Sequence, residues 1–128
     1  MKLDAIEVIT LFVEDIGEAR SFYQTVFAPE IVYQDDVSAV LNFAGTMVNL
    51  LQSTQAPELV TPSAVAKSQS GSRMLLTIKV DNTDAVCAEL RRRGVTLLNG
   101  PIDRPWGRRT AAFADPSGHV WEIAEELG

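Results

Sequence analysis

An α+β fold made of one small module used twice is predicted by three features of the chain. The first is an internal repeat. Ile9-Thr-Leu-Phe-Val-Glu-Asp-Ile-Gly-Glu-Ala-Arg-Ser-Phe-Tyr23 finds its counterpart in Leu76-Thr-Ile-Lys-Val-Asp-Asn-Thr-Asp-Ala-Val-Cys-Ala-Glu-Leu90, at a constant offset that carries Val13 onto Val80. The second is that each copy reads as a strand, a polar cap and an amphipathic helix, in that order. The third is a shared ending. Gly45-Thr-Met-Val-Asn-Leu50 and Gly118-His-Val-Trp-Glu-Ile123 close the two copies alike, so that Asn49 and Glu122 fall on equivalent positions. A duplicated module tends to build its site where the copies face each other, which directs attention to the side chains the repeat places at a shared cleft.

The first module is assigned to residues 1–52. Ile9, Leu11 and Val13 alternate with Val8, Thr10 and Phe12, as expected of a strand covered on one face and partly apolar on the other. Asp15 caps the helix that follows, with Glu18 three residues on, and Ile16, Ala19, Phe22, Tyr23, Val26 and Phe27 form its apolar stripe. Pro29 helps to stop it. Strands are predicted near Glu30 to Gln34, Ser38 to Phe43 and Thr46 to Gln52, with Asp35-Asp36 and Ala44-Gly45 as turns.

Residues 53–73, rich in Ser and containing Pro57 and Pro62, form either a cover over the cleft or a plain linker. The second module, 74–128, starts with a strand from Leu75 to Val80 and a helix from Thr83 to Arg93. Asn82 or Thr83 caps that helix, Arg91-Arg92-Arg93 suits the negative end of its dipole, and Gly94 suits a left-handed stop. Strands near Val95 to Asn99, Arg108 to Phe113 and His119 to Ala124 complete it, with Asp115-Pro-Ser-Gly118 as the last turn.

One compact domain of 128 residues with 46% hydrophobic content can bury a core. Eleven basic against 17 acidic residues leave a net charge of −6, which disfavours nucleic acid and anionic membrane surfaces and would steer in a small cation. No apolar run reaches membrane-span length, and Met1-Lys2-Leu3-Asp4-Ala5 does not open a signal peptide. With Cys87 as the single cysteine, no intrachain disulfide forms, and a cytoplasmic location is expected. Cys87 itself reads as a half-buried helix residue, and Trp121 as packing beneath a helix.

The strand-helix start with Asp15 and Phe22-Tyr23, the repeat, and the ending Asp115-Pro-Ser-Gly-His-Val-Trp-Glu122 together resemble the vicinal oxygen chelate superfamily. That group includes glyoxalase I, extradiol dioxygenases, fosfomycin-resistance enzymes and bleomycin-resistance proteins. The resemblance covers essentially the whole chain. It implies two tandem β-α-β-β-β modules in a curved, incomplete barrel, often completed by a second subunit, so a homodimer is expected. It does not imply one chemistry, since the fold hosts enzymes and binders alike. Metal-dependent members, as the resemblance implies, draw four ligands from equivalent places in the two copies. Matched onto this chain, those places hold Val8, Asn49, Leu75 and Glu122. Two aliphatic side chains offer no lone pair, and an amide with one carboxylate is a poor shell for zinc, nickel or iron. The only histidine, His119, would point away from Glu122 on a strand. No metal is therefore expected, the alternative being a divalent metal in an atypical centre.

Val8, Thr10, Leu75, Thr77 and Val120 instead suggest a mostly apolar cleft floor with Asn49 and Glu122 as polar points, the make-up of a small-molecule site. The run Asp103-Arg-Pro-Trp-Gly-Arg-Arg-Thr110 reads as a loop leading into a strand, and it is similar to bleomycin-resistance proteins, in which a tryptophan of this neighbourhood lines the ligand groove. Trp106 would either stack on a planar or cationic ring or close the rim of the fold. Arg108 and Arg109 alternate, so one faces the cleft and the other solvent. Glu122 would serve as a proton shuttle, as the counter-charge of a cationic ligand, or as a partner of Asn49. The expected function is metal-independent binding of an aromatic or cationic small molecule, resembling the bleomycin-resistance branch. The alternative is a glyoxalase-like lyase, isomerase or dioxygenase acting through Glu122.

Overall fold

The computed structural model describes all 128 residues. They form two compact units, Met1–Ser68 and Gln69–Gly128. The first contains β1 (Ile9–Val13), α1 (Ile16–Val26), β2 (Glu30–Gln34), β3 (Ser38–Phe43), β4 (Thr46–Gln52) and a single turn of helix, α2 (Pro57–Val60). Its sheet has the order β1-β4-β3-β2, with β1 parallel to β4 and the other pairs antiparallel. The second contains β5 (Leu75–Lys79), α3 (Thr83–Arg92), β6 (Asn99–Arg104), β7 (Arg108–Ala114) and β8 (Val120–Glu126), in the matching order β5-β8-β7-β6. No ladder joins the two sheets, so they do not close into a hydrogen-bonded barrel. No helix is long and apolar enough to cross a membrane.

The alternation in β1 places Leu11 and Val13 in the core beside Ala39, Leu41, Val48 and Leu50 of the same sheet face, all buried. Onto this face α1 lays Ile16, Ala19, Tyr23 and Val26. Tyr23 is wholly buried. It stacks on Phe27 with centroids 5.6 Å apart and meets Phe22 edge-on at 5.3 Å, while Phe27 meets Phe43 edge-on at 5.3 Å. Phe22 itself is only half-buried, which places it at the margin of the core and not inside it. In the second unit Ala111, Phe113, Trp121 and Ile123 form the equivalent buried face, and α3 contributes Thr83, Cys87 and Leu90. Cys87 is fully buried, and that desolvation pushes its thiol pKa up.

The duplication persists to single hydrogen bonds. Asp15 Oδ1 accepts from the Glu18 N–H at 3.0 Å, and Asn82 Oδ1 accepts from the Ala85 N–H at 3.0 Å. The last strand of each copy also reaches the first turn of its helix. Gln52 Oε1 accepts from the Ile16 N–H at 2.8 Å, and its amide donates to the Glu14 carbonyl. Glu125 Oε1 accepts from the Thr83 N–H at 2.8 Å. The bonds from the Glu18, Ala85, Ile16 and Thr83 N–H groups each satisfy a helix donor with no partner inside the helix, and the Gln52 amide ties down the Glu14 carbonyl ahead of α1. Substituting leucine removes one hydrogen bond at Glu125 and two at Gln52, the second being that to the Glu14 carbonyl. Glu125→Leu should therefore cost about 1–2 kcal/mol and Gln52→Leu about 2–3 kcal/mol, read from urea midpoints.

Three segments differ from the sequence expectation. The strand expected over Val95 to Asn99 begins instead at Asn99 and runs to Arg104. Val95 is still closing the helix, its N–H donating to the Leu90 carbonyl at 3.0 Å past the left-handed Gly94. Gly100-Pro101 looks like a strand breaker, yet it forms a bulge where the β6–β7 register shifts between Asn99 and Ile102. An edge strand tolerates both the bulge and the missing proline donor. Asp103 and Arg104 thus belong to a strand, and only Pro105 to Gly107 make the turn. The last strand starts at Val120 because His119 is held by the preceding turn. Asp115 Oδ1 accepts from the N–H groups of Ser117 and His119, both at 2.9 Å. Finally, residues 53–73 are not a featureless loop. They carry 3-10 turns at Ser53–Gln55 and Ser68–Ser70 flanking α2, and the Ser68 N–H donates to Glu14 Oε1 at 2.7 Å.

Candidate functional site

Each sheet has one face packed on its helix and a second face turned away from it, and the ladder registers decide which side chains share the latter. In the first unit Thr10 of β1 stands beside Asn49 of β4, and Val40 of β3 stands on Asn49's other side. Val8 lies just ahead of β1 and is 38% exposed. Asn49 Oδ1 is buried and accepts no hydrogen bond. Leaving a buried acceptor unsatisfied costs about 1–3 kcal/mol.

In the second unit one row crosses the face turned away from α3 as Thr77, Glu122, Ala112 and Asn99, from β5 to β6. Asn49 and Glu122 occupy the same register position, each opposite the equivalent threonine, Thr10 or Thr77. Thr77 Oγ1 donates to Glu122 Oε1 at 2.9 Å. Leu75, one step along β5, is 50% exposed. The next row is Lys79, Ala124, Thr110 and Ile102, and the one beyond it Glu126, Arg108 and Arg104. Ala112, Ala124 and Thr110 are buried, so the floor between the longer side chains is made of small groups.

The alternation at Arg108 and Arg109 is resolved by these registers. Arg108 shares the face of Glu122 and pairs with Glu126 at 2.8 Å. Arg109 lies on the helix side, bonded to Asp103 at 2.6 Å and to Asp84 at 3.3 Å. The Arg109 guanidinium holds the Asp103 carboxyl below the usual carboxylate range, and Asp103 in turn raises the pKa of Arg109.

Sequence reasoning passed over Arg104, Asn99 and Thr110. Arg104 Nε donates to Thr110 Oγ1 at 2.9 Å, and its Nη2 donates to Asn99 Oδ1 at 3.2 Å. Asn99 and Arg104 are an odd number of residues apart and would face opposite ways on a regular strand. The bulge at Gly100-Pro101 brings them to one face. The signal available in the sequence was Gly100-Pro101 itself, read as a bulge in an edge strand instead of a terminator.

Trp106 stands at the tip of the β6–β7 hairpin, 68% exposed, with no ring stacked on it. Within its unit it lies beyond the Arg108–Glu126 pair, and Glu122 is four residues back along β8 from Glu126, about 13 Å. The structure brings Thr10 to Asn49 and Thr77 to Glu122; it does not bring Trp106 to Glu122 within the module.

The four positions that correspond to metal ligands do not fit a metal. Val8 and Leu75 carry no donor atom, Asn49 offers only an amide, and Glu122 already accepts from Thr77. Within either unit no three His, Cys, Asp or Glu side chains gather. The arrangement supplies acceptors and a guanidinium on the sheet faces turned away from the helices, groups able to hydrogen-bond a small molecule.

This pair of like sheets, each with a helix on one face and a polar point at the same register position on the other, defines a protein of the glyoxalase and bleomycin-resistance fold class. The chain belongs to the Glyoxalase/Bleomycin resistance protein/Dioxygenase superfamily, whose family model matches residues 5–123. It is 28% identical over 123 residues to the uncharacterized protein YraH of Bacillus subtilis (strain 168), covering 93% of this chain and 96% of that one. A crystal structure of a glyoxalase/bleomycin resistance protein/dioxygenase from Nocardioides has a TM-score of 0.87 at 23% identity, over 99% of this chain and 86% of that one. TnmS3, an antibiotic-binding protein from Streptomyces sp. CB03234, has a TM-score of 0.72 at 27% identity, over 98% of both chains.

Proposed function

We propose that the protein binds a small aromatic or cationic molecule without a metal, as a sequestering protein and not through turnover. The observation that carries this reading is the match between Asn49 and Glu122. At the two equivalent positions of the repeat stand acceptor oxygens, one with no donor at all and one met only by the Thr77 hydroxyl. An N–H donor on a ligand suits either oxygen, and a positive charge on it suits Glu122. The net charge of −6 draws such a ligand in. Exposed Trp106, Leu75 and Val8 offer aromatic and apolar surface. The likeness to TnmS3, an antibiotic-binding protein, supports binding over catalysis. The same reading has the protein working as a homodimer in the cytoplasm. A single buried cysteine suits that compartment, and sedimentation tests the dimer.

The test is a calorimetric screen of aromatic amines and other aromatic cations in the presence of EDTA. Binding is expected to survive chelation and to weaken about tenfold or more in Glu122→Gln, the effect of losing a charged hydrogen-bond partner. Asn49→Leu should weaken it less. If every ligand found binds Glu122→Gln and Asn49→Leu as tightly as the parent, the reading fails. Turnover of a hemithioacetal or a catechol that Glu122→Gln abolishes would replace it with the enzymatic one.

A further inference from the structure

We infer that Arg104 forms an anion subsite on the Glu122 face of the second unit, so that the ligand is amphoteric: an oxyanion on Arg104 and an N–H donor or cation on Glu122. This deepens the proposed function and rests on its assignment of Glu122.

Three observations carry it. The first is how Arg104 is held. Its guanidinium has five N–H donors; one goes to the Thr110 hydroxyl and one to the Asn99 amide oxygen. Both acceptors are neutral. They fix the plane of the fork while leaving its charge uncompensated and three donors unused. The other half-buried arginines of this hairpin are used differently, Arg108 being paired with Glu126 and Arg109 with Asp103 and Asp84. Arg104 alone among the three has no carboxylate.

The second observation is direction. Asn99 lies in the Glu122 row, and Thr110 in the next. The two bonds therefore draw the guanidinium back along the sheet from its own row toward the Glu122 row. The third is spacing. In one row of the sheet Glu122 and Asn99 stand two strand spacings apart, about 10 Å, with only the small side chain of Ala112 between them. A carboxylate stands at one end of that row and a guanidinium is bonded to the other, and no salt bridge joins them. Lys79 of β5 stands in the row of Thr110 and adds positive charge to this face. A planar carboxylate matches the arginine fork in a bidentate way, which a lysine does not reproduce.

The probes are benzoate, benzylammonium and 4-(aminomethyl)benzoate, which carries both charges at opposite ends of one ring. The readouts are calorimetry and the side-chain Nε–H resonance of Arg104 in a nitrogen-15 spectrum, which a purely structural arginine would not shift on titration. The amphoteric probe is expected to bind about tenfold or more tightly than either singly charged one and to move the Arg104 resonance. Arg104→Gln and Arg104→Lys should both reduce it to the level of benzylammonium, and a thermal melt of each variant reports whether the hairpin remains folded. If benzylammonium binds but the carboxylate adds nothing and the Arg104 signal of the parent stays still, the anion subsite is overturned and the proposed function stands. If benzoate alone moves the Arg104 signal and no cation binds, the subsite stands and the proposed function falls. Binding of none of the three overturns both.

Discussion

Gly100→Ala should strip the second unit of about 3 kcal/mol or more of stability, enough to lower its unfolding midpoint visibly in urea. Gly100 has φ +93°, a left-handed conformation that costs an alanine about 1–2 kcal/mol. An added Cβ would also stand 2.4 Å from the Thr110 carbonyl oxygen, 2.6 Å from Ala111 Cα and 2.7 Å from Ala111 Cβ. The first two are backbone atoms of β7, so the clash is relieved only by parting β6 from β7 at the bulge. Against a typical total of about 5–15 kcal/mol the loss is severe. Tryptophan fluorescence reads it directly, because Trp106 and Trp121 both belong to the second unit. The same change should scramble the Asn99–Arg104 geometry, so the Arg104 Nε–H resonance should broaden or move even without ligand. A variant as stable as the parent would show that the bulge is not the tight contact described.

Tyr23→Ala should cost about 3–5 kcal/mol, the usual loss for a fully buried aromatic ring. Its ring joins Phe22 and Phe27 in one cluster, and Phe27 extends that cluster to Phe43 on the sheet. Removing it empties the centre of the α1 interface. Far-UV circular dichroism follows the whole chain, whereas tryptophan emission follows only the second unit. If Tyr23→Ala shifts both signals together, the two units unfold as one cooperative body. If only the dichroism acquires an earlier phase, they unfold separately. A loss below about 1 kcal/mol would mean that the cluster repacks around the gap.

Much of the fold could be read from local chemistry. Asp15 and Asn82 announce their helices because a capping side chain and its N–H target lie three residues apart, and both bonds form. β2, β3 and β4 fall where alternation and turn residues put them. The equivalence of Asn49 and Glu122 follows from a repeat that the ladders reproduce residue for residue. What local chemistry did not give was β6. Val95 and Leu97 alternate like a strand, yet they serve the helix stop and the approach to it, while the real strand contains a glycine and a proline. Arg104 stayed hidden for the same reason. Its partners Thr110 and Asn99 are set by the hairpin register and the bulge, and neither appears in the sequence as a spacing. The orphaned oxygen of Asn49 is likewise a property of packing, since an amide on a strand shows no sign of whether a donor will reach it.

Every ladder bond of β1 to β4 stays within the first sheet and every ladder bond of β5 to β8 within the second, with residues 53–74 as the only covalent bridge between them. Two copies of the chain could therefore trade halves without breaking or making one strand pairing. The hydrogen-bond ladders of the exchanged arrangement are identical to those of the intramolecular one. Sedimentation of a variant with that bridge shortened tests for such an exchange and leaves Asn49, Glu122 and Arg104 chemically untouched.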